Sequence, residues 1–332
     1  MNVVRGHSSA VLILISFLVI CTSTQAQQPG KIFRIGYLDA SNASGSAVLV
    51  GAFRQEMRKL GWIEAKNFTI EYRFAEGKAD RLPELAGELV RLEVDLILAT
   101  GATPAVAAKS ATTSIPIVVT NVSDPVREGL VTSLARPEGN VTGFSSLAAG
   151  LNTKRLEILK DAVPNLTRVG VLWLSGAGIA QDLQVKEIRS AAAALKLKLE
   201  EVETQADPKR LESAFQITKQ KQVSAIITTS SRPFFAERKR IVEFAGKHRL
   251  PAIYPQKEFV DEGGLMFYGI DYIDLFRRSA YYVNKLLKGA NPADLPIEQP
   301  KKFDFVINLK TAKQIGLIIP PNVLARADRV IR

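Results

Sequence analysis

One order of short apolar strands and amphipathic segments occurs twice in this chain, and that repetition leaves few folds open. Arg34-Ile35-Gly36-Tyr37-Leu38 returns 134 residues later as Arg168-Val169-Gly170-Val171-Leu172, and Ile115-Pro116-Ile117-Val118 returns at a spacing of 135 as Leu250-Pro251-Ala252-Ile253. Between them, Leu197 to Glu203 echoes Phe68 to Arg73, Asp207-Pro208 opens a helix as Asp80 and Pro83 do, and Ala225 to Thr228 echoes Leu96 to Ala99. Any one apolar strand resembles many others, but five elements in one order at nearly one spacing describe a duplicated unit. Apolar runs alternating with helical periodicity are the pattern of βα units on a parallel sheet. The expected fold class is therefore α/β, with two Rossmann-like lobes carrying parallel sheets and joined by a three-segment hinge. The joints are expected at Gly143 to Gly150, at a crossing flanked by Asp261 to Gly264 and Gly269, and at the proline-containing stretch Asn291 to Pro300. A helix over Tyr272 to Leu287 would rejoin the first lobe. Lobe one then takes residues 31–143 with about 270–300, and lobe two takes 150–265 with about 305–332, although the last segment could join either lobe.

Residues 1–26 stand apart from this pattern. Arg5 precedes the twelve-residue apolar run Ala10 to Cys21, and Thr24-Gln25-Ala26 puts small residues before a cut at Gln27. This is the layout of a secretory signal peptide cleaved after Ala26, which places the mature protein in the periplasm. The run is short of the ~18 residues of a membrane span, so an uncleaved anchor fits less well. Lipoprotein anchoring through Cys21 fits less well still, because bulky Ile20 stands where a small residue is wanted.

Removing the leader removes the one cysteine and leaves His248 as the remaining histidine. That excludes a disulfide framework and a multi-thiolate metal site, and leaves little for histidine chemistry. The formal charge of +11 falls by one unit with Arg5, and the basic residues stand among acidic neighbours, as in Glu237-Arg238-Lys239-Arg240. Such a run is a solvated helix face, so no nucleic-acid partner is expected. Neither a G-x-S-x-G elbow, a phosphate-binding G-x-x-x-x-G-K-[ST] loop nor an H-E-x-x-H site occurs. Gly176-Ala177-Gly178 lacks the third glycine of a dinucleotide fingerprint. His248 ends a basic helix, where it suits the C-terminal dipole. No catalysis, cofactor or metal is expected.

In open parallel sheets, ligands bind beyond the carboxyl ends of the strands. That selects Ser41 and Ser44 after the first strand, Gly101 and Thr103 after the third, and Asn121 and Asp124 after the fourth. The second lobe supplies Ser175, Thr229, Ser230 and Tyr254. Hydroxyls and free N–H groups at helix starts suit a carboxylate, while Asp124 and Asp271 could take an ammonium group. The pattern fits a zwitterion such as an amino acid. The same residue types also serve as plain helix N-caps. Tyr254, Trp173, Phe234 and Phe235 could form an aromatic wall or belong to the core.

Longer motifs carry a family resemblance. Phe53-Arg54-Gln55 through Leu60-Gly61-Trp62, Ile70-Glu71-Tyr72-Arg73 and Ala75-Glu76-Gly77 form one set. Asp124 to Val131 with Asn140-Val141-Thr142-Gly143 forms a second, and Leu295 to Pro300, Val306 to Ala312 and Ile319-Pro320-Pro321 a third. Together they resemble the ABC-transporter substrate-binding proteins that include tryptophan- and tyrosine-binding members, over residues 31–332. The resemblance implies a type I periplasmic-binding-protein fold and a monomeric receptor closing on a small-molecule ligand. An amino acid or related carboxylate, aromatic for preference, is the implied ligand, and the permease of an ABC importer the implied partner. An exported sensor presenting its ligand to a membrane signalling partner would use the same fold.

Overall fold

The computed structural model of the protein describes residues 31–332 apart from 175 and 177. The leader, its cut after Ala26, Cys21 and Ser175 lie outside the described residues. The chain begins with a first set of βα units: β1 (Phe33–Asp39), α1 (Ala43–Lys59), β2 (Phe68–Phe74), α2 (Leu82–Arg91), β3 (Leu96–Thr100), α3 (Ala102–Ala111), β4 (Ile117–Val122) and β5 (Val141–Ser145). A second set follows: α4 (Gly150–Ala162), β6 (Arg168–Leu174), α5 (Ile179–Ala194), β7 (Lys198–Thr204), α6 (Pro208–Gln220), β8 (Ala225–Thr228), α7 (Arg232–Ala236), α8 (Arg238–Lys247), β9 (Ala252–Tyr254), α9 (Glu258–Asp261) and β10 (Met266–Gly269). The chain closes with α10 (Tyr272–Leu287), β11 (Asp304–Asn308), α11 (Leu309–Ile315), α12 (Pro321–Leu324) and β12 (Arg329–Ile331).

The first sheet is parallel throughout in the order β2-β1-β3-β4-β5. The second reproduces that order as β7-β6-β8-β9-β10 and adds β11, antiparallel to β10, and β12. Helices cover both faces of the central strands, which is why β3 and β8 are apolar and buried along their whole length.

The repeated motif has one physical job in both halves. Arg34 donates from Nη1 to the Leu92 carbonyl at 3.1 Å, and Arg168 donates from Nη1 to the Lys221 carbonyl at 2.6 Å. Each carbonyl closes the helix that precedes the next strand, where a cation also meets the negative end of the helix dipole. Two residues on, a Cβ at Gly36 would stand 3.0 Å from Leu89, and one at Gly170 would stand 3.0 Å from Val223. Both glycines let the returning chain pack directly on the strand.

The apolar periodicity of Val48 to Leu60 predicts a helix there, and α1 starts earlier, at Ala43. Asn42 caps it by accepting from Gly45 N–H at 2.8 Å, and the first turn is made of small residues with no apolar stripe.

Three segments pass between the two sheets. The first follows β5, the second joins β10 to α10, and the third leads to β11. The first and third pair as strands: Ser145 N–H donates to Glu298 O and Glu298 N–H to Gly143 O, both at 2.9 Å. α10 returns to the first sheet's side, where Trp62 Nε1 donates to Asn284 Oδ1 at 3.0 Å and Tyr281 to Glu56 at 2.8 Å. Arg155 of α4 is fully buried and binds the first two crossings together, donating to Tyr268 O at 2.7 Å and Ala148 O at 3.2 Å. Among the described residues no helix is long and apolar enough to cross a membrane.

Candidate functional site

A cavity of about 570 Å³ lies between the lobes, walled by loops at the carboxyl ends of strands from both sheets. The first lobe contributes Ala40, residues 76–80, Thr100 to Pro104, Asn121 and Ser123. The second contributes Leu174, Gly176, three residues of α5, residues 205–207 and Ser230 to Pro233, and Ala148 of the first crossing completes the wall. The volume suits a small molecule, and the position is where open α/β sheets bind ligands.

Of the residues selected from sequence, Gly101, Thr103, Asn121 and Ser230 line this cavity. Gly101 begins α3 with φ +92°, and no side chain caps that helix. Asn121 sits in the left-handed region at φ 57°, which asparagine tolerates better than most residues, inside β4 where its register with β5 shifts. Ser230 is held through its backbone: its carbonyl accepts from Gln181 at 2.8 Å and Gln184 at 2.9 Å, and its N–H donates to Gln184 Oε1 at 2.7 Å.

The other selected residues sit elsewhere. Ser41 is buried and donates from both N–H and Oγ to Asp39 Oδ1 at 2.9 Å. Ser44 is exposed and bonds Asn42. Asp124 accepts from Arg127 N–H at 3.0 Å, closing its own turn. Thr229 is buried, with its N–H on Leu172 O. Asp271 is the N-cap of α10, accepting from Asp274 N–H at 3.0 Å. Tyr254 is a core residue stacked on Phe259 at 4.7 Å, and burial pushes its hydroxyl well above the usual range. Phe234 and Phe235 are likewise buried in the core, Trp173 packs beside the second core cluster, and none of them is a cavity wall. His248 ends α8 and packs its ring against Phe215 at 5.8 Å.

Residues that sequence reasoning passed over line the cavity or join the lobes beside it. Arg232, the first residue of α7, reaches from the second lobe into the first. Its Nε and Nη2 bond Asp39 at the end of β1 at 3.1 and 3.0 Å, and Nη2 also bonds Ser46 Oγ at 3.0 Å. Asp39 is fully buried and Arg232 is 3% exposed. Burial alone would raise the Asp39 carboxyl, but the Arg232 guanidinium and hydrogen bonds from Ser41 and Ser46 outweigh it and hold the group below the usual carboxylate range. Tyr37 adds a hydrogen bond to Asp39 at 2.9 Å. The pair is thus ionised and spans the seam between the lobes. Gln181 is the second such residue: it is 3% exposed, and its Oε1 has no hydrogen-bond partner. Its amide nitrogen is committed to Ser230 O, so the oxygen is the atom left over. The one sequence hint was Pro233, which fixes Arg232 at the start of a helix directly after the Thr229-Ser230-Ser231 loop.

The family model for ABC transporter substrate binding protein matches residues 43–331. The chain is 25% identical over 267 residues to a tyrosine-binding protein of Clostridioides difficile (strain R20291), covering 80% of this chain and 75% of that protein. Among solved structures it resembles a conserved domain protein from Vibrio cholerae O1 biovar eltor at 28% identity and TM-score 0.81, over 90% of this chain and 100% of that one. It also resembles an ABC domain from Streptococcus pneumonia in complex with L-Trp, at 26% identity and TM-score 0.79 with the same coverage. The two lobes and three crossings are the type I periplasmic-binding-protein fold. The match across most of the chain makes this protein a member of the ABC transporter substrate binding protein family, whose members are substrate-binding receptors rather than enzymes.

Proposed function

We propose that this protein is the extracytoplasmic receptor of an ABC importer, closing its two lobes on an amino acid or a related carboxylate. The observation that carries the reading is the cavity itself, which is built from strand-end loops of both lobes and lined by small polar residues and Arg232. A ligand touching both walls favours the closed arrangement, so binding energy becomes a change of shape that a membrane permease can read. Aromatic amino acids are supported by the relatives named for tyrosine and tryptophan. On this reading the chain is exported, cut after Ala26 and works as a monomer in the periplasm, without nucleic acid. Its lobes are residues 31–143 with about 270–300, and 150–265 with about 305–332.

Native mass spectrometry of the purified protein would reveal a ligand carried along. Thermal-shift screening should then show stabilisation by at least one amino acid, since a ligand at 100 times its dissociation constant adds about 2.7 kcal/mol. A flat response to all amino acids would overturn the amino-acid reading. A transport role predicts permease and ATPase genes beside this one, whereas a kinase gene there would favour sensing.

A further inference from the structure

The Asp39–Arg232 pair leaves one part of the guanidinium uncommitted. Nε bonds both oxygens of Asp39, and Nη2 reaches Asp39, Ser46 Oγ, Ser41 Oγ and the Gly45 carbonyl, between 3.0 and 3.5 Å. Nη1 finds no hydrogen-bond partner among the described residues, yet it is not among the sealed polar atoms that lack one. Arg232 is a wall of the cavity. A guanidinium nitrogen open to a cavity, with two N–H donors that no protein group uses, is available to an acceptor on a ligand, which would take the place of water there.

We propose that Arg232 is the carboxylate anchor of the receptor, binding the ligand through Nη1 while Asp39, from the opposite lobe, holds the rest of its fork. The inference rests on the receptor reading above and names the ligand chemistry it requires. A carboxylate fits better than a phosphate. Asp39 already neutralises the cation, and one free nitrogen matches a singly charged acceptor rather than a dianion with three oxygens to satisfy. Gln181 lines the same cavity and is bonded to the same loop through Ser230 O, so an ammonium or other N–H donor on the ligand would meet polar residues beside the anchor.

The anchor is also conditional on lobe closure. Arg232 belongs to α7 of the second lobe, where its guanidinium lies over the Phe235 ring at 4.9 Å, and every hydrogen-bond acceptor it uses belongs to the first: Asp39, Ser41, Gly45 and Ser46. When the lobes part, the guanidinium loses that set of partners and with it the orientation of Nη1. Carboxylate recognition and closure become one event, which ties ligand discrimination to the shape read by the partner.

The test uses three proteins: wild type, Arg232→Lys, which keeps a cation for Asp39 but loses the fork, and the double variant Asp39→Asn/Arg232→Gln, which removes both charges. Circular dichroism establishes that each is folded. Each is screened by thermal shift and calorimetry against L-amino acids, the decarboxylated amines tyramine and tryptamine, the simple carboxylates acetate, pyruvate and succinate, and inorganic phosphate. The expected result is that wild type binds acids and not the matching amines, and that both variants lose roughly 10- to 100-fold in affinity for the acid. Amines binding as well as acids, or variants within twofold of wild type, would overturn the anchor and leave the amino-acid receptor standing. Binding of simple carboxylates without any amino acid would overturn the amino-acid reading and leave the anchor standing. Preference for phosphate, or no response to any of these probes, would overturn the anchor as a carboxylate site.

Discussion

Gly45 of α1 and Ala236 of α7 meet so closely across the seam between the lobes that a Cβ on the glycine would stand 2.5 Å from the alanine Cβ and 2.9 Å from its Cα. Both helices are anchored in different sheets, so the contact exists through closure. Within α1 itself alanine is the better helix former by about 1 kcal/mol. Gly45→Ala should therefore leave thermal stability unchanged or raised while weakening closure by about 1–3 kcal/mol through overpacking. Small-angle scattering should show a larger radius of gyration in the presence of ligand than for wild type. An unchanged ligand-bound envelope would show that the seam relaxes around the methyl group.

Arg155 carries a charge in the interior without a carboxylate beside it. Burial pulls its guanidinium down to about 10, and Nη2 finds no partner. What it supplies is hydrogen bonding to the carbonyls of Ala148 and Tyr268 and to Asn152 Oδ1. Arg155→Met preserves volume and removes the buried charge but strands those acceptors, so a net loss of about 2–4 kcal/mol is expected in urea unfolding. A variant as stable as wild type would mean that the charge costs as much as its bonds return.

Glu128 gives the fold a pH dependence near neutrality. Burial, with Asp124 close by, pushes its carboxyl up to about 7, against the backbone N–H groups of Asp124 and Ser123 that favour the ionised form. A raised carboxyl means that the folded state holds a proton which the unfolded state has released between about pH 4.5 and 7. Stability from this group is present below that window and lost as the pH rises through it, by roughly 3 kcal/mol in total. Glu128→Gln keeps an acceptor for the two N–H groups and should flatten the profile between pH 5 and 8. The same slope in wild type and variant would assign the dependence to other groups.

Asp271 accepts from the Asp274 N–H as the cap of α10. Asp271→Ala should cost about 1 kcal/mol of stability and leave amino-acid affinity within twofold of wild type. A tenfold loss of affinity, measured by calorimetry, would bring this carboxylate back into the binding site.

The architecture was legible because the repeat is written in residues with local jobs. Arg34 and Arg168 each reach a helix-ending carbonyl, and Gly36 and Gly170 each admit a close neighbour, so the same letters recur at the same step of each half. The strand-end rule located Gly101, Thr103, Asn121 and Ser230, which depend only on being the next residues after a buried strand. It could not separate them from Ser44, whose hydroxyl donates to the Asn42 side chain, or from Asp124 and Asp271, whose carboxylates accept from nearby backbone N–H groups. Tyr254 misleads for a related reason. It is the last residue of β9, yet its ring turns into the core against Phe259. Asp39 and Arg232 were out of reach because their partnership joins residues 193 apart in the chain, and a lone arginine before a proline reads as surface.

The pairing of Phe144 with Glu298 has a mechanical consequence. The first and third connections between the lobes are hydrogen-bonded to each other as a short ribbon, so they bend as one strip, while the second, which leads into α10 and is tied to the first through Arg155, makes a second attachment. Two attachments define a line. Twisting one lobe against the other would shear the ribbon's hydrogen bonds, while bending about that line leaves them intact. The motion expected to be softest is a rotation about that line, like a door on two pins, and on the receptor reading it would return Arg232 to the same Asp39 oxygens as it shuts.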